Sequence, residues 1–213
     1  MSDFDNLAQI VIKGDYVGAK NLTQSMIDQV VDPLEIINQG LMAGMNVVGV
    51  RFKAGDMFVP EVMMSAKAMS AGIELVKPLI ADNDMPSAGK VLIGTVKGDL
   101  HNIGKNLVVM MLESAGFEII DLGVDIDAAT FVQAVKEHKP QVIGMSALLT
   151  TTMLSMRDTI EALKEEGLRH SVKVIIGGAP ITQGFAEEIG ADGYAPDAAT
   201  ATELCRKLIE GWV

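Results

Sequence analysis

The second half of the sequence alternates short, continuous apolar runs with longer segments of helical periodicity. The apolar runs predict buried strands, and the segments between them predict helices. Strict alternation of this kind is typical of a parallel sheet with helices on both faces. The predicted strands lie at about 90–96, 118–122, 141–146, 172–177 and 192–195, and the predicted helices at about 103–115, 127–138, 152–166, 180–189 and 197–210.

The first half of the chain has helical periodicity without intervening strands. Asp32 precedes Pro33, and Pro60 precedes Glu61, which are pairings typical of helix N-termini. Four amphipathic helices of this kind predict a four-helix bundle. The predicted helices lie at about 4–13, 16–31, 33–52 and 60–81.

Small, polar and turn-forming residues at 81–90 interrupt the apolar periodicity on both sides and predict a linker. We therefore predict a helical domain at 1–85 and an α/β domain at 86–213. The α/β domain is expected to be a flavodoxin-like, Rossmann-like doubly wound sheet of five parallel strands.

Charge and cysteine content exclude several classes of protein. The chain has 17 basic and 28 acidic residues, and its net charge of -11 disfavours nucleic acid and anionic membrane surfaces. The N-terminus carries acids where a signal peptide needs lysines, and no apolar run approaches the roughly 20 residues that span a bilayer. We expect a cytoplasmic protein that binds neither nucleic acid nor membranes. The single cysteine, Cys205, excludes an internal disulfide and predicts a core side chain.

Ligands of doubly wound sheets bind outside the carboxyl ends of the strands, where the connections change direction. The first, third and fourth predicted strands end near 97–101, 144–148 and 176–179. If the first and third strands are neighbours, Ser146 and the glycines of the first turn border one crevice. The first turn lacks both G-x-G-x-x-G and a G-K-[ST] ending, so a nucleotide phosphate loop is disfavoured.

Asp99 and His101 stand two residues apart in that first turn. One imidazole nitrogen can bind a metal while the other donates to a carboxylate, although such a pair can also be a simple surface hydrogen bond. His138 and His170 lie in charged loops and are predicted to be solvated, so no second histidine completes a protein-only site. A lone histidine ligand indicates a metal already held in a macrocycle.

Three motifs together resemble the signature of cobalamin-binding domains: Asp99-x-His101-x-x-Gly104, Ser146-x-Leu148 and Gly177-Gly178. The surrounding IGTVKGDLHNIGKNLV is similar to the cobalamin module of methionine synthase. It also resembles the methyltransferase cognate corrinoid proteins of methylamine, methanol and methoxy-aromatic methyl transfer. The stretch GDMFVPEVMMSAKAMSAG resembles the helical cap that precedes the corrinoid domain in these proteins, so the resemblance covers nearly the whole chain.

The resemblance implies a role for each matching residue. His101 is expected to displace the nucleotide base of cobalamin and to become the lower cobalt ligand, with Asp99 orienting it. Thr152 stands where methionine synthases have a serine that continues this contact. The implied set that binds the cofactor around the ligand is Gly98, Asp99, Leu100, His101, Asn102, Ile103 and Gly104. Ser146, Leu148, Thr150, Gly177 and Gly178 are expected along the displaced tail, and Phe58, Met63 and Met64 over the upper face of the corrin.

The resemblance also implies a function. Cobalamin, cycling between cob(I)alamin and methylcobalamin, would carry a methyl group from a methylamine or quaternary amine. A substrate-specific methyltransferase would load the cobalt, a second would pass the methyl group to a thiol or tetrahydrofolate, and a reductive activator would restore Co(I). The chain itself would have no complete active site. The alternatives are a subunit of a carbon-skeleton mutase, disfavoured by the GTVKGD context and the cap, and a cobalamin-dependent regulator, for which no DNA-binding segment is visible.

Overall fold

The computed structural model describes residues 2–80 and 87–211. The chain forms two compact units, and the boundary between them falls after Ser87. The predicted boundary between residues 85 and 86, and the part of the predicted linker at 81–86, lie outside the described residues.

The first unit is helical, as predicted. Asp32 begins one helix by accepting the Leu34 N–H at 2.7 Å, and the Glu61 carboxylate accepts the Phe58 N–H at 2.8 Å at the start of another. One of its helices runs without a break through an α-helical, a π-helical and a second α-helical stretch, so the described residues of the unit form four helical segments. They are α1 (Asp3–Ile12), α2 (Tyr16–Asp28), α3 (Pro33–Glu35) with the π-helical Ile36–Met42 and α4 (Ala43–Lys53), and α5 (Val59–Val76).

The last helix of this unit is shorter than predicted. The α-helix α5 ends at Val76 and is followed by a 3-10 turn, Lys77–Leu79. Pro78 explains the end, because proline has no N–H to donate to the carbonyl four residues earlier. Residue 81, the last of the predicted helix, lies outside the described residues.

The second unit is one sheet of five parallel strands in the order β2-β1-β3-β4-β5, which confirms the predicted flavodoxin-like sheet. Fully buried side chains such as Leu92, Ile143 and Phe131 form its core. The strands are β1 (Lys90–Thr95), β2 (Glu118–Asp121), β3 (Val142–Ser146), β4 (Lys173–Gly177) and β5 (Gly193–Tyr194). The helices are α6 (Ile103–Ser114), α7 (Ala128–His138), α8 (Leu154–Glu165), α9 (Gln183–Ile189) and α10 (Ala198–Glu210).

Two helices of this unit begin later than predicted. The helix α9 begins after Thr182, whose hydroxyl accepts the Phe185 N–H at 3.2 Å and replaces the start predicted at 180. Residues before α8 form a turn in which the N–H groups of Thr152 and Met153 both donate to the Leu149 carbonyl. In both cases the loop after a strand is longer than the periodicity indicated, and these loops lie at the carboxyl ends of the strands. None of the described helices combines the length and the apolar character needed to cross a bilayer.

Candidate functional site

The loops after β1 and β3 meet at one edge of the sheet. The register pairs Thr95 of β1 with Ser146 of β3, and Ser146 with Gly177 of β4, so the three strands end side by side. Residues 97–102 follow β1 and residues 147–153 follow β3. The predicted motifs are therefore brought together at the place where doubly wound sheets bind ligands.

Asp99 lies at the centre of the contacts between these two loops. Its side chain is fully buried, and its carboxylate takes part in four hydrogen bonds. Oδ1 accepts the His101 backbone N–H at 3.0 Å and lies 2.7 Å from the ring Nδ1 of the same residue. Oδ2 accepts the Leu148 N–H and the Thr152 hydroxyl, each at 2.7 Å. The carboxylate thus joins the end of β1 to the loop after β3.

These hydrogen bonds set the protonation of Asp99. Burial alone would raise the pKa of Asp99, but the hydrogen bonds from Thr152, Leu148 and His101 outweigh it and hold that pKa well below its usual range. Because an ionised carboxylate can only accept, Nδ1 of His101 is the donor in their contact. In the neutral ring the lone pair is then on Nε2, the nitrogen free to bind a metal.

His101 is exposed in an unusually apolar setting. Its side chain is 52% exposed, and Leu100 and Ile103 beside it are 70% and 83% exposed. Leu148 and Leu149, from the loop that holds Asp99, are also exposed. Apolar side chains grouped at a surface mark a place where a ligand or a partner binds. A half-exposed imidazole of fixed orientation within such a surface is suited to a metal that brings a broad apolar ligand.

The composition of the site fits a corrinoid rather than a bare metal ion. Among residues 2–80 and 87–211, no three or more His, Cys, Asp or Glu side chains group together in a way that could hold a metal ion. A macrocycle would supply the other ligands of a metal bound through His101. The apolar surface formed by Leu100, Ile103, Leu148 and Leu149 suits the face of such a macrocycle.

Gly104 supports the same fit. It is exposed in the first turn of α6, and a Cβ added there would meet nothing within 4 Å. Glycine within a helix costs about 1 kcal/mol relative to alanine. Since packing inside the chain does not require this glycine, close approach of a ligand is a physical reason for it.

The two glycines after β4 face backbone instead of open space. A Cβ on Gly177 would lie 2.8 Å from the Ala195 carbonyl oxygen, and one on Gly178 only 1.8 Å from that of Ala147. Gly178 also has a φ of 126°, which side chains rarely adopt. These glycines let neighbouring strand ends approach closely, and their expected role beside a cofactor tail stays a prediction.

The polar residues expected along the tail have unused hydrogen-bonding groups. Ser146 is partly exposed at the end of β3, and Thr150 is exposed in the following loop. Within the described part of the chain neither hydroxyl has a hydrogen-bond partner. Asn102 is exposed beside His101, and Gly98 is exposed with a φ of 80°. The hydroxyls of Ser146 and Thr150 are therefore available to a ligand.

The residues expected over the upper face belong to the first unit, at the start of α5. Phe58 is 69% exposed, and Met63 and Met64 are about half exposed. Other methionines of the unit, including Met26 and Met69, are buried and belong to its core. The exposed three are therefore not explained by packing within the helical unit.

Sequence reasoning missed two residues that hold the His101 loop. The Thr95 hydroxyl donates to the His101 carbonyl at 2.9 Å. The Asp125 carboxylate accepts the Gly98 N–H at 2.7 Å, and the Asp125 N–H donates to the Asp99 carbonyl at 3.0 Å. The only feature of the sequence that could have indicated either residue is its position near the end of a predicted strand.

Each of the two units matches a family of known proteins. A family described as "B12 binding domain" matches residues 89–203, and a second family of the same description matches residues 3–77. The chain is 52% identical over 180 residues to dimethylamine corrinoid protein 1 of Methanosarcina acetivorans, with 84% of each chain covered. It is 46% identical over 212 residues to a corrinoid protein of Desulfitobacterium hafniense (strain Y51), with 98% of each covered.

A solved structure supports the same relationship. The crystal structure of the methanol:cobalamin methyltransferase complex MtaBC from Methanosarcina barkeri contains a chain that matches with a TM-score of 0.87 and 33% identity. The match covers 96% of this chain and 78% of that chain.

Proposed function

This chain belongs to the B12-binding corrinoid proteins and its cofactor is a corrinoid of the cobalamin type, and from that premise we propose that it carries a methyl group between two methyltransferases. When bound, the corrinoid supplies a cobalt that accepts and releases a methyl group. The observation that carries the proposal is the imidazole of His101, held at Nδ1 by a buried carboxylate and set in an exposed apolar surface.

The side chains around His101 have distinct roles in this proposal. Asp99 orients the imidazole and keeps Nδ1 protonated, and Thr152 holds the carboxylate in place. A hydrogen-bond partner on the ring nitrogen that does not bind the metal raises the basicity of a ligating histidine and fixes the orientation of its ring. The exposed Leu100 and Ile103 would exclude water from the ligand nitrogen once the cofactor is bound. The hydroxyls of Ser146 and Thr150 hydrogen-bond the polar tail of the cofactor.

A methylated amine is the proposed donor. The 52% identity to a dimethylamine corrinoid protein supports an amine. Among the described residues no side-chain cluster could hold zinc to activate a thiol. In this proposal the donor and the acceptor are recognised by partner enzymes.

The proposed partners are a substrate-specific methyltransferase, a second methyltransferase acting on a thiol or tetrahydrofolate, and a reductive activator of cobalt. The net charge of -11 favours transient contacts with complementary, basic surfaces of these partners. Phe58, Met63 and Met64 are proposed to shield the reactive face of the corrinoid, which accounts for three exposed apolar side chains.

The test is a methylation assay on the protein loaded with cobalamin and reduced without oxygen. Dimethylamine, trimethylamine, a betaine and methanol are added separately, with and without a methyltransferase specific for each, and the cobalt spectrum is followed. We expect methylation only in the presence of a methyltransferase, and fastest with an amine. Methylation at an enzymatic rate without any partner would contradict the carrier role.

The matched control is His101→Ala. This variant should keep its fold but lose the imidazole-ligated spectrum, with cofactor affinity lower by about 10- to 100-fold or more. An unchanged imidazole-ligated spectrum would contradict the assignment of His101. Adenosylcobalamin bound to the purified protein would favour a mutase subunit instead.

A further inference from the structure

We propose that Asp125 is a positioning residue that sets the loop carrying His101, an inference that rests on the proposed function for its consequence at the metal. Asp125 lies after β2, and it contacts two peptide units in the loop after β1, one on each side of the Gly98–Asp99 peptide bond. Its carboxylate accepts the Gly98 N–H at 2.7 Å, and its own N–H donates to the Asp99 carbonyl at 3.0 Å. The Gly98–Asp99 segment is thus held from both ends by a single residue.

The loop needs polar restraints because every residue of 97–102 except Asp99 is exposed. Residues 97–102 are outside regular helix and strand, and Leu100 and Ile103 are among the most exposed apolar side chains of the described residues. The polar restraints on the loop include the Thr95 hydroxyl on the His101 carbonyl, the Ser155 hydroxyl on the Lys97 carbonyl and the hydrogen bonds at the Asp99 carboxylate. They also include the two contacts of Asp125, which accepts from the Gly98 N–H and donates to the Asp99 carbonyl. Among these contacts, those of Asp125 restrain the backbone on both sides of the Gly98–Asp99 peptide bond, next to the Asp99 carboxylate.

Asp125 can act as a restraint because its own backbone is fixed on both sides. The Thr95 N–H donates to the Gly123 carbonyl, and the Ile126 N–H donates to the Thr95 carbonyl, each at 3.0 Å. Val96 and Ile126 also form an isolated parallel bridge. The residues on either side of Asp125 are therefore tied to the end of β1, and movement of Asp125 relative to the Gly98 turn is limited.

The conformation of Asp125 restricts which residues can serve. Its φ is 58°, in the left-handed region that glycine, asparagine and aspartate tolerate best. The contact with Gly98 also requires a short side chain with an acceptor oxygen. Only aspartate and asparagine meet both conditions, whereas glycine meets the first alone. Asp125 meets both conditions next to the proposed metal ligand. A role in positioning the loop that carries His101 explains why.

The experiment compares Asp125→Gly with Asp125→Asn. Both variants accept the left-handed backbone, but only the asparagine keeps an acceptor for the Gly98 N–H. In the protein without cofactor, hydrogen exchange of the Gly98 amide is measured by NMR; we expect it to be ~3- to 10-fold faster in Asp125→Gly and unchanged in Asp125→Asn. After loading with cobalamin, Asp125→Gly should show a smaller imidazole-ligated fraction in the optical and EPR spectra, and about 10-fold weaker binding.

Lys139→Gly is the matched control. Lys139 also has a left-handed backbone, with a φ of 47°, but it ends α7 and makes no contact with the Gly98 turn. This variant should leave the Gly98 exchange rate and the cobalt spectrum unchanged. An Asp125→Gly protein with wild-type exchange and spectrum would overturn the proposal, as would an Asp125→Asn protein that behaves like Asp125→Gly. If the wild-type protein itself showed no imidazole ligation, the proposed function would fail, while the exchange rates would still decide whether Asp125 holds the loop.

Discussion

At the scale of single residues, Asp99 shows how one buried carboxylate can organise a ligand site. Its oxygens receive hydrogen bonds from two loops, and these outweigh the unfavourable effect of burial on its charge. The same contacts that keep Asp99 ionised also orient the His101 ring. The charge of Asp99 and the orientation of the His101 ring therefore depend on each other. Both can be tested by changing one hydrogen-bond partner at a time.

Asp99→Asn should reduce stability in a pH-dependent way. The folded-state pKa of Asp99 is lowered, so its stabilising effect is complete above the unfolded pKa of about 4 and is lost as the pH falls through the folded value. We expect the variant to be less stable by about 2–3 kcal/mol at pH 7. Urea unfolding of the cofactor-free proteins at pH 7, 5 and 3 should show the same difference at the first two values and a smaller one at pH 3. A difference independent of pH would contradict the assigned ionisation.

Thr152→Val and Thr152→Ser separate the hydroxyl from the methyl group of this side chain. Valine leaves Asp99 Oδ2 without the hydroxyl donor at 2.7 Å, and a hydrogen bond to a charged group contributes about 1.5–3 kcal/mol. Serine keeps the donor and should cost clearly less. The measurement is the free energy of unfolding of the cofactor-free protein at pH 7. Equal losses in the two variants would show that the methyl group, not the hydroxyl, is the stabilising part.

At the scale of elements, the ends of helices and strands show which residues serve folding and which are left for a ligand. The helix α2 ends in a Schellman arrangement, in which the Val30 N–H donates to the Ile27 carbonyl and the Val31 N–H to the Met26 carbonyl. Glycine usually takes the left-handed position of this motif, yet here it is Val30, with a φ of 61° and 90% exposure.

Val30→Gly should therefore stabilise the helical unit. A left-handed backbone costs an L-residue about 1–2 kcal/mol, more than glycine loses through its greater freedom in the unfolded chain. We expect a net gain of about 1 kcal/mol in the free energy of unfolding, measured by urea denaturation, with unchanged cofactor binding. Val31→Gly, one residue later, is the control and should not stabilise.

Gly104→Ala and Gly178→Ala should have opposite effects on the protein without cofactor. The added methyl group meets nothing within 4 Å at Gly104, so helix propensity should raise stability by up to about 1 kcal/mol. At Gly178 the methyl group would lie 1.8 Å from the Ala147 carbonyl, and the variant should be strongly destabilised. If Gly104 faces the cofactor, its variant should nevertheless bind cobalamin more weakly. Thermal melts with and without cobalamin test both statements, and tighter binding by Gly104→Ala would contradict the placement.

At the scale of the whole molecule, the chain consists of two compact units, each with its own buried core. The five-stranded sheet and all the residues that hold His101 lie in the second unit. The first unit supplies the exposed Phe58, Met63 and Met64. Binding of the cofactor and its protection are therefore expected to be separable.

A chain shortened to begin at Ser87 should fold and should still bind cobalamin through His101. It should lose Co(I) to oxidation faster than the full chain, because it lacks the side chains proposed to shield the cobalt. The rate is followed in the optical spectrum after admission of a limited amount of oxygen. A shortened chain that oxidised no faster would show that the helical unit is a docking module instead. The variant Phe58→Ser in the full chain is the matched control and should show a smaller effect in the same direction.

Local sequence was sufficient for the order of the strands and helices, because burial periodicity and helix-starting residues act over a few positions; Asp32 and the apolar run of β1 are examples. The sequence also sufficed to identify His101 and Asp99, because only one residue separates them and both lie just after a strand. The contacts of Asp125 could not be identified, because they link the loops after β2 and β1, which only the sheet order brings together. The Thr95 contact could not be identified either, because it depends on the conformation of the loop after β1. The sequence also could not show that the Leu148 N–H donates to Asp99, or that Leu100 and Ile103 are exposed. Those features depend on which backbone groups face one another across neighbouring strands, and that is settled only when the sheet has formed.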